Sequence, residues 1–356
     1  MATVVFITAM LLTCLWPAAH GQGNNKLKDS TYNRILPSAD KKKVLATSDF
    51  LDAAISSFNS LNSLIKKETY HTKITSFNNP TSSDIGFNLE NEIQVALKPL
   101  LEKAKNTNTS KFSEIVSGLV AAQSDPKISL ISAAPIFASV ISLVSNLTLS
   151  ERRITKKDLD SFIINVSKYF VQYEKLHQAN TLFDENIDQL NSKLKDLQFD
   201  MREYMLDMLY IIYDDTPRSG FRNLNTEEMF LKYLDKGKLD QTFLSQSKGV
   251  QGGIRKDFKY PSDGIKAAKD IAYTLQKLFN EYEKIYTDNY MQIRSILLDT
   301  KTLGANVNEE QIDRSLNDLE RLYNESKNSD VLCLRLNTLF ERLKRLTATE
   351  QPETQK

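Results

Sequence analysis

The hydrophobic positions of this chain follow a seven-residue period that begins at Leu159 and ends at Ile211. The period is Leu159, Phe162, Val166, Tyr169, Tyr173, Leu176, Asn180, Phe183, Ile187, Leu190, Leu194, Leu197, Met201, Tyr204, Met208 and Ile211. Only Asn180 is neither apolar nor aromatic. A strict seven-residue repeat favours a left-handed supercoil with a partner helix. The pattern therefore predicts a long coiled-coil helix over residues 155–213.

A second stretch with the same period supplies a partner within the chain. Its positions are Ile265, Ala268, Ala272, Leu275, Phe279, Tyr282, Tyr286, Asn289, Ile293, Ile296, Thr300 and Leu303. Between the two patterns lies a Gly-containing segment, residues 214–261, with a short helix expected from Glu227 to Leu239. We predict that the helices 155–213 and 262–303 form an antiparallel hairpin, with residues 214–261 as a cap at one end.

Each arm of this hairpin carries one Asn in its seam, Asn180 and Asn289, at a similar distance from the tip. An amide without a partner in a seam costs stability. We therefore expect the two side chains to meet and fix the register of the coiled coil. In the alternative interpretation, each Asn is solvated separately at a helix bend.

An uncharged stretch precedes the long helix. Residues 115–124 and 128–150 contain no charged side chain, and Asp125-Pro126 between them favours a turn. This pattern predicts an apolar helical hairpin over residues 114–151, which must be buried in protein or in lipid. Its candidate buried or membrane-inserting residues are Ile115, Leu119, Leu130, Ile131, Ile136, Phe137, Val140, Ile141 and Val144.

The rest of the pattern is also helical. Apolar residues at three- and four-residue steps predict helices from Val44 to Ile65 and from Leu89 to Lys105, and two further helices within residues 309–346. No alternating strand pattern is present. The predicted fold class is all-α, an elongated helical bundle built on the long antiparallel coiled-coil hairpin. It forms a single domain over residues 44–346, followed by a polar tail, residues 347–356.

The first residues have the pattern of a targeting signal. Residues 1–21 carry no Lys, Arg, Asp or Glu, and the apolar stretch from Val4 to Trp16 is too short to span a membrane. We predict a signal peptide at 1–21 and a flexible leader at 22–43, hence a periplasmic or secreted protein. An uncleaved anchor and a lipid on Cys14 are the alternatives. Cleavage leaves Cys333 as the only thiol and excludes an internal disulfide.

Charge and candidate chemistry narrow the functional classes. Lys plus Arg number 46 and Asp plus Glu 45, which gives a formal net charge of +1 and no basic footprint for nucleic acid. After cleavage the only histidines are His71, in a stretch that we expect to be a loop, and His177. These residues and one Cys are too few for an ordinary N/S metal site. We expect no catalytic site and no cofactor.

Two functions are compatible with this pattern. The first is a non-enzymatic structural or protein-interaction module, acting through a protein partner or through self-association. The second is a membrane-active protein that inserts the hairpin 114–151. A helical rod with a sheltered apolar hairpin resembles α-helical pore-forming toxins in layout only. Pro135 and the serines of the second run weaken that hairpin as a span.

Overall fold

The computed structural model describes residues 39–103, 134–150, 154–213, 218–247, 259–304, 306–326, 337–341 and 344–345. The predicted signal peptide, most of the leader, Cys333 and the polar tail lie outside these residues. So do residues 104–133, which include the first half of the predicted apolar hairpin. The described residues all belong to one compact unit, residues 37–356.

Every regular element of the described residues is helical, which confirms the all-α fold class. The helices are α1 (Ala39–Ile65), α2 (Glu68–Ser76), α3 (Leu89–Lys103), α4 (Ala134–Ser150), α5 (Lys156–Ile212), α6 (Arg218–Arg222), α7 (Thr226–Met229), α8 (Lys236–Ser247), α9 (Gly264–Thr300) and α10 (Glu309–Ser326). A π-helical turn, Phe230–Leu234, follows α7, and a 3-10 turn, Lys301–Leu303, follows α9.

The bundle is built on α5 and α9, which pack against each other along most of α9. Lys193 of α5 pairs with Glu281 of α9, and Lys175 pairs with Asp299 at 3.2 Å. Residue numbers along α5 therefore decrease where those along α9 increase, so the two helices are antiparallel. All seam positions predicted for α5 are buried except Leu159, Ile187 and Ile211, which are partly buried and pack against the core.

The beginning of α5 is fixed by a capping box. The Thr155 hydroxyl accepts a hydrogen bond from the Asp158 backbone N–H, and the Asp158 carboxylate accepts one from the Thr155 backbone N–H at 2.9 Å. Lys103 of α3 donates to the same carboxylate at 2.6 Å. This ammonium and the Thr155 donors lower the pKa of Asp158 to about 2. The cap therefore also attaches α3 to the first turn of α5.

The first helices differ from the sequence-based expectation. Helix α1 begins at Ala39, before Val44, and Asp40 and Lys43 near its start form an ion pair at 3.5 Å. The segment around His71 is the helix α2 rather than a loop. Tyr70 and Ile74, one turn apart, are both buried there against the α5/α9 pair. This burial stabilises a helix of nine residues that is too short to be stable alone.

The cap segment also contains more helix than we expected. A single helix from Glu227 to Leu239 is replaced by α7, the π-helical turn and α8, with a break at Asp235. Ser48 of α1 donates to the carbonyl oxygen of Leu234 at 2.6 Å. Lys236 pairs with Asp49 of α1 at 2.9 Å. These contacts attach the cap to α1.

A glycine closes the corner between the α2–α3 loop and α10. Gly86 has φ +86°, and its carbonyl oxygen accepts a hydrogen bond of 2.7 Å from the Asn308 backbone N–H. A Cβ atom at this position would lie 2.6 Å from Cγ1 of Ile312. Only glycine combines this backbone conformation with so close an approach. The corner determines where α3 and α10 lie relative to each other.

Candidate functional site

The middle of the α5/α9 seam is polar. Asn180 is 6% exposed and Asn289 is 3% exposed. Nδ2 of Asn289 donates to the carbonyl oxygen of Ala179 at 3.0 Å, and Oδ1 accepts from the Tyr70 hydroxyl at 2.8 Å. Nδ2 of Asn180 donates to the carbonyl oxygen of Ile74 at 2.9 Å. Asn289 is thus tied to both α2 and α5, whereas Asn180 is tied to α2, and among the described residues no hydrogen bond joins the two amides directly.

Aromatic rings surround these amides. The ring of Tyr286 lies 5.0 Å from Tyr70, 5.1 Å from Phe183 and 4.5 Å from Tyr282, measured between centroids. Burial raises the pKa of Tyr70 and, with its neighbour Tyr286, that of Tyr282 far above the usual tyrosine value. Neither hydroxyl loses its proton at neutral pH, so each can only donate or accept hydrogen bonds. This cluster holds helices together.

His71 lies on α2, next to Tyr70, and faces α5. Its Nε2 atom is 3.0 Å from Oδ1 of Asp184, and both side chains are partly exposed. The hydrogen bond to Asp184 raises the pKa of His71, while burial acts in the opposite direction. His177 is half-buried on α5. In the described part of the chain, no three His, Cys, Asp or Glu side chains are grouped so that they could hold a metal ion.

A groove runs between α1 and α5 from the cap to His71. It consists of three adjoining cavities of about 110, 770 and 800 Å³. The first two share Phe58, Asn59 and Gln198 as lining residues, and the last two share Ile65, Lys66 and Asp188. On α5 the lining extends from residue 181 to residue 201, about 30 Å along the helix axis.

The floor and the walls of this groove differ in polarity. The floor contains Phe58, Ile65 and Leu194, which are 8%, 9% and 3% exposed. The walls carry Asn62 and Lys66 from α1, and Asp188, Asn191, Ser192, Lys195 and Gln198 from α5. Within the described ranges, none of these seven wall side chains has a hydrogen-bond or ion-pair partner. The groove thus offers free donors and acceptors above a nearly closed apolar floor.

Other helix boundaries are joined by cross-boundary ion pairs. These are Lys193–Glu281 and Lys175–Asp299 between α5 and α9, Lys67–Glu325 and Lys73–Asp318 between α2 and α10, and Lys103–Asp158 between α3 and α5. Charged side chains also line the α1/α5 groove, where Lys66 and Asp188 lie at one junction, yet no ion pair joins them. The wall side chains of the α1/α5 groove can therefore bind another molecule or water.

A smaller cavity of about 330 Å³ lies between α3, α5 and the loop before α10. Its buried acid is Glu92, which is 5% exposed. The Glu92 carboxylate accepts a hydrogen bond from Nδ2 of Asn306 at 3.3 Å, and the Tyr169 hydroxyl lies in the same cavity. Burial and this carboxylate raise the pKa of Tyr169. The carboxylate already has a partner in the loop before α10, so we assign it to holding α3 in place.

The predicted apolar hairpin is described only in its second half, α4. Ile115, Leu119, Leu130 and Ile131, and the side chain of Ile136, lie outside the described residues. Val140 and Val144 are buried, Phe137 and Ile141 are half-buried, and the Phe137 ring lies 4.7 Å from that of Phe170 on α5. No helix within the described ranges is long and apolar enough to cross a membrane.

Sequence reasoning missed the groove, because its walls are made of residues that are usual on a solvated helix face. The only local signal is the row of uncharged amides, Asn59 and Asn62 on α1 and Asn191 and Gln198 on α5, beside seam residues.

Comparison with known proteins gives no information about the function of this groove. The chain matches no protein-family model, and no curated protein and no solved structure is significantly similar to it. The function is therefore inferred from the geometry of the groove and of the helices that form it.

Proposed function

We propose that this protein is an exported, non-enzymatic helical scaffold that binds a protein partner in the α1/α5 groove. The supporting observation is the row of wall side chains, from Asn62 to Gln198, that have no partner among the residues the structure describes. The antiparallel α5/α9 pair, which we propose to be a coiled coil, is the rigid support of the groove. Helix α1, attached to the cap through Ser48 and Asp49, forms the second wall.

The charges of the groove favour a protein over a polyanion. Lys66, Lys195 and Asp188 all line the middle cavity, together with four amide side chains. Such a mixed wall gives nucleic acid or an anionic lipid surface little net attraction. A polypeptide can supply both charges and neutral hydrogen-bonding groups. The formal net charge of +1 for the whole chain has the same consequence.

Site-specific photo-cross-linking tests this function. A benzophenone amino acid would replace Asn191 in the groove or, as the control, Tyr273, which is 67% exposed outside the described cavities. We expect adducts with a protein from the producing organism at position 191 and none at position 273. The captured protein, identified and purified, should bind the purified chain and lose affinity for Asn191→Ala. Equal adducts at both positions, or none, would contradict the proposal.

The alternative is a membrane-active protein that inserts residues 114–151. Uncharged α4 and its half-buried Phe137 and Ile141 favour it, but insertion would remove Val140 and Val144 from the core. Dye release from loaded liposomes separates the two functions. We expect no release and no sedimentation with lipid. Release that disappears in a folded Ile136→Asp variant would instead support the membrane function.

A further inference from the structure

We propose that the α1/α5 groove binds its partner as an extended polypeptide segment of about eight residues. This inference rests on the proposed function and specifies the conformation and the polarity of the bound chain. The part of α5 that lines the groove, residues 181–201, is about 30 Å long. An extended chain advances at most about 3.3–3.6 Å per residue, so at least about eight residues are needed to occupy this length.

The wall chemistry favours an extended backbone. Asn62, Asn191 and Gln198 each present one amide oxygen and one NH2 group to the groove. These groups complement the C=O and N–H of a peptide unit. In an extended segment the peptide groups are free to bind them, whereas in a helix the backbone groups are already bonded internally. A helical partner would therefore leave most of the amide walls without backbone partners.

The floor of the groove is poorly suited to two other classes of ligand, amphipathic helices and sugars. Phe58 and Leu194 are nearly closed to solvent, so apolar burial contributes little and hydrogen bonds must provide most of the affinity. An amphipathic helix needs a broad exposed apolar surface, whereas the aliphatic side chains of the groove that are more than slightly exposed are Ile55 and Ile187, at its two ends. The only aromatic rings lining the described groove are those of Phe58, Phe183, Tyr286 and His71, and of these only His71 is more than slightly exposed. The groove thus offers little aromatic surface for stacking a sugar ring.

Charge along the groove gives the segment a direction. At the His71 end the lining includes Glu185 and Asp188 on α5, and Asp184 there is already paired with His71. Lys66, Lys67 and Glu68 line the same end from the α1/α2 side, and Lys67 is paired with Glu325. Lys195 lies further towards the cap. The bound segment should therefore carry a basic residue opposite Glu185 and an acidic residue opposite Lys195. Opposite charges placed in this way favour one orientation of the chain and disfavour its reverse.

Peptide selection tests this inference. A displayed library of random eight-residue peptides would be selected on the full chain, and the affinity of labelled selected peptides measured by fluorescence anisotropy. We expect the double variant Asn191→Ala/Gln198→Ala to weaken binding by about tenfold or more, because it removes two amide contacts. The matched control, Gln178→Ala/Gln292→Ala, alters amides of a cavity between α5 and α9 and should leave binding unchanged. Circular dichroism would show that both variants are folded.

A second binding experiment distinguishes recognition of the peptide backbone from recognition of its side chains. Peptides N-methylated at alternate residues should lose binding, and Lys195→Glu should select peptides with a basic residue in place of the acidic one. The inference is wrong if no peptide is selected, if wall and control variants bind alike, or if N-methylation has no effect. It is also overturned if wall-dependent ligands are found among glycans instead. The photo-cross-linking experiment tests the proposed function separately. If it gives protein adducts at position 191 and none at position 273, the proposed function holds even when this inference fails.

Discussion

The hydroxyl of Tyr70 donates a hydrogen bond of 2.8 Å to Oδ1 of Asn289, across 219 residues of sequence. Both side chains are buried, and Nδ2 of Asn289 also donates to the carbonyl oxygen of Ala179 on α5. One amide thus joins α2, α5 and α9 at the middle of the bundle. A buried hydrogen bond of this kind is worth little on average but costs much when one partner is lost.

The first prediction concerns this contact. Asn289→Leu leaves the Tyr70 hydroxyl and the Ala179 carbonyl without this side-chain partner, so we expect the free energy of unfolding to fall by about 2 kcal/mol. Urea denaturation measures it. Tyr70→Phe removes the donor, and in the double variant the combined loss should be smaller than the sum of the single losses. Strictly additive losses would show that the hydrogen bond contributes nothing.

The second prediction concerns the register of α5 and α9. Oδ1 of Asn180 is buried and has no partner in the described part of the chain. Asn180→Leu removes this unpaired oxygen but also the donor to the Ile74 carbonyl oxygen, so we expect little net change in the free energy of unfolding while slipped pairings of α5 and α9 become possible. Disulfide trapping of Lys193→Cys with Glu281→Cys, in a chain without its native cysteines, reports the register seen here. An Asn180→Leu variant that is trapped only in the native register and keeps the native oligomeric state would refute the role of Asn180 in fixing the register.

The third prediction concerns pH. The folded-state pKa of His71 is raised, chiefly by the hydrogen bond with Asp184. Its stabilising contribution is then fully present below the unfolded-state pKa, about 6.5, and is lost as the pH rises through the raised folded-state pKa. Because both side chains are partly exposed, we expect less than about 1 kcal/mol. The melting temperature, compared at pH 5.5 and pH 8, should depend less on pH in His71→Gln; an identical dependence would be inconsistent with this pair.

The fourth prediction concerns Gly86. With φ +86° and Ile312 only 2.6 Å from an added Cβ, Gly86→Ala should reduce the free energy of unfolding by about 2 kcal/mol or more. Gly237 in the first turn of α8 is the control, because Ala there meets only the Asp235 side chain at 3.2 Å. Gly237→Ala should be neutral or slightly stabilising. Chemical denaturation compares the two, and equal effects would contradict the argument.

The sequence predicted the long helices because their seam repeats over many turns. Burial of residues such as Leu194 and Phe279 follows directly from that period. Helix α2 was missed, since Tyr70 and Ile74 are its only fully buried positions and its stability comes from packing on α5 and α9. A local pattern carries no information about such distant partners.

The groove was unpredictable for a different reason. Whether Asn62 and Asn191 face each other across a gap depends on how closely α1 approaches α5, which no pattern in either helix specifies. The α2–α3 corner was also hidden, because it depends on contacts between Gly86 and α10, far apart in sequence. Sequence periodicity determines which face of a helix is buried. Tertiary packing determines between which neighbouring helices a groove remains.

Blocking the groove tests the central claim most directly. Ser192→Trp places an indole in the α1/α5 groove, and Ser295→Trp places one in the cavity between α5 and α9. Both serines are exposed, so both variants should fold with an unchanged melting temperature. Cross-linking from position 191 would then be repeated in each variant. We predict that the protein adduct is lost in Ser192→Trp and kept in Ser295→Trp; an adduct that survives Ser192→Trp would contradict binding in the groove.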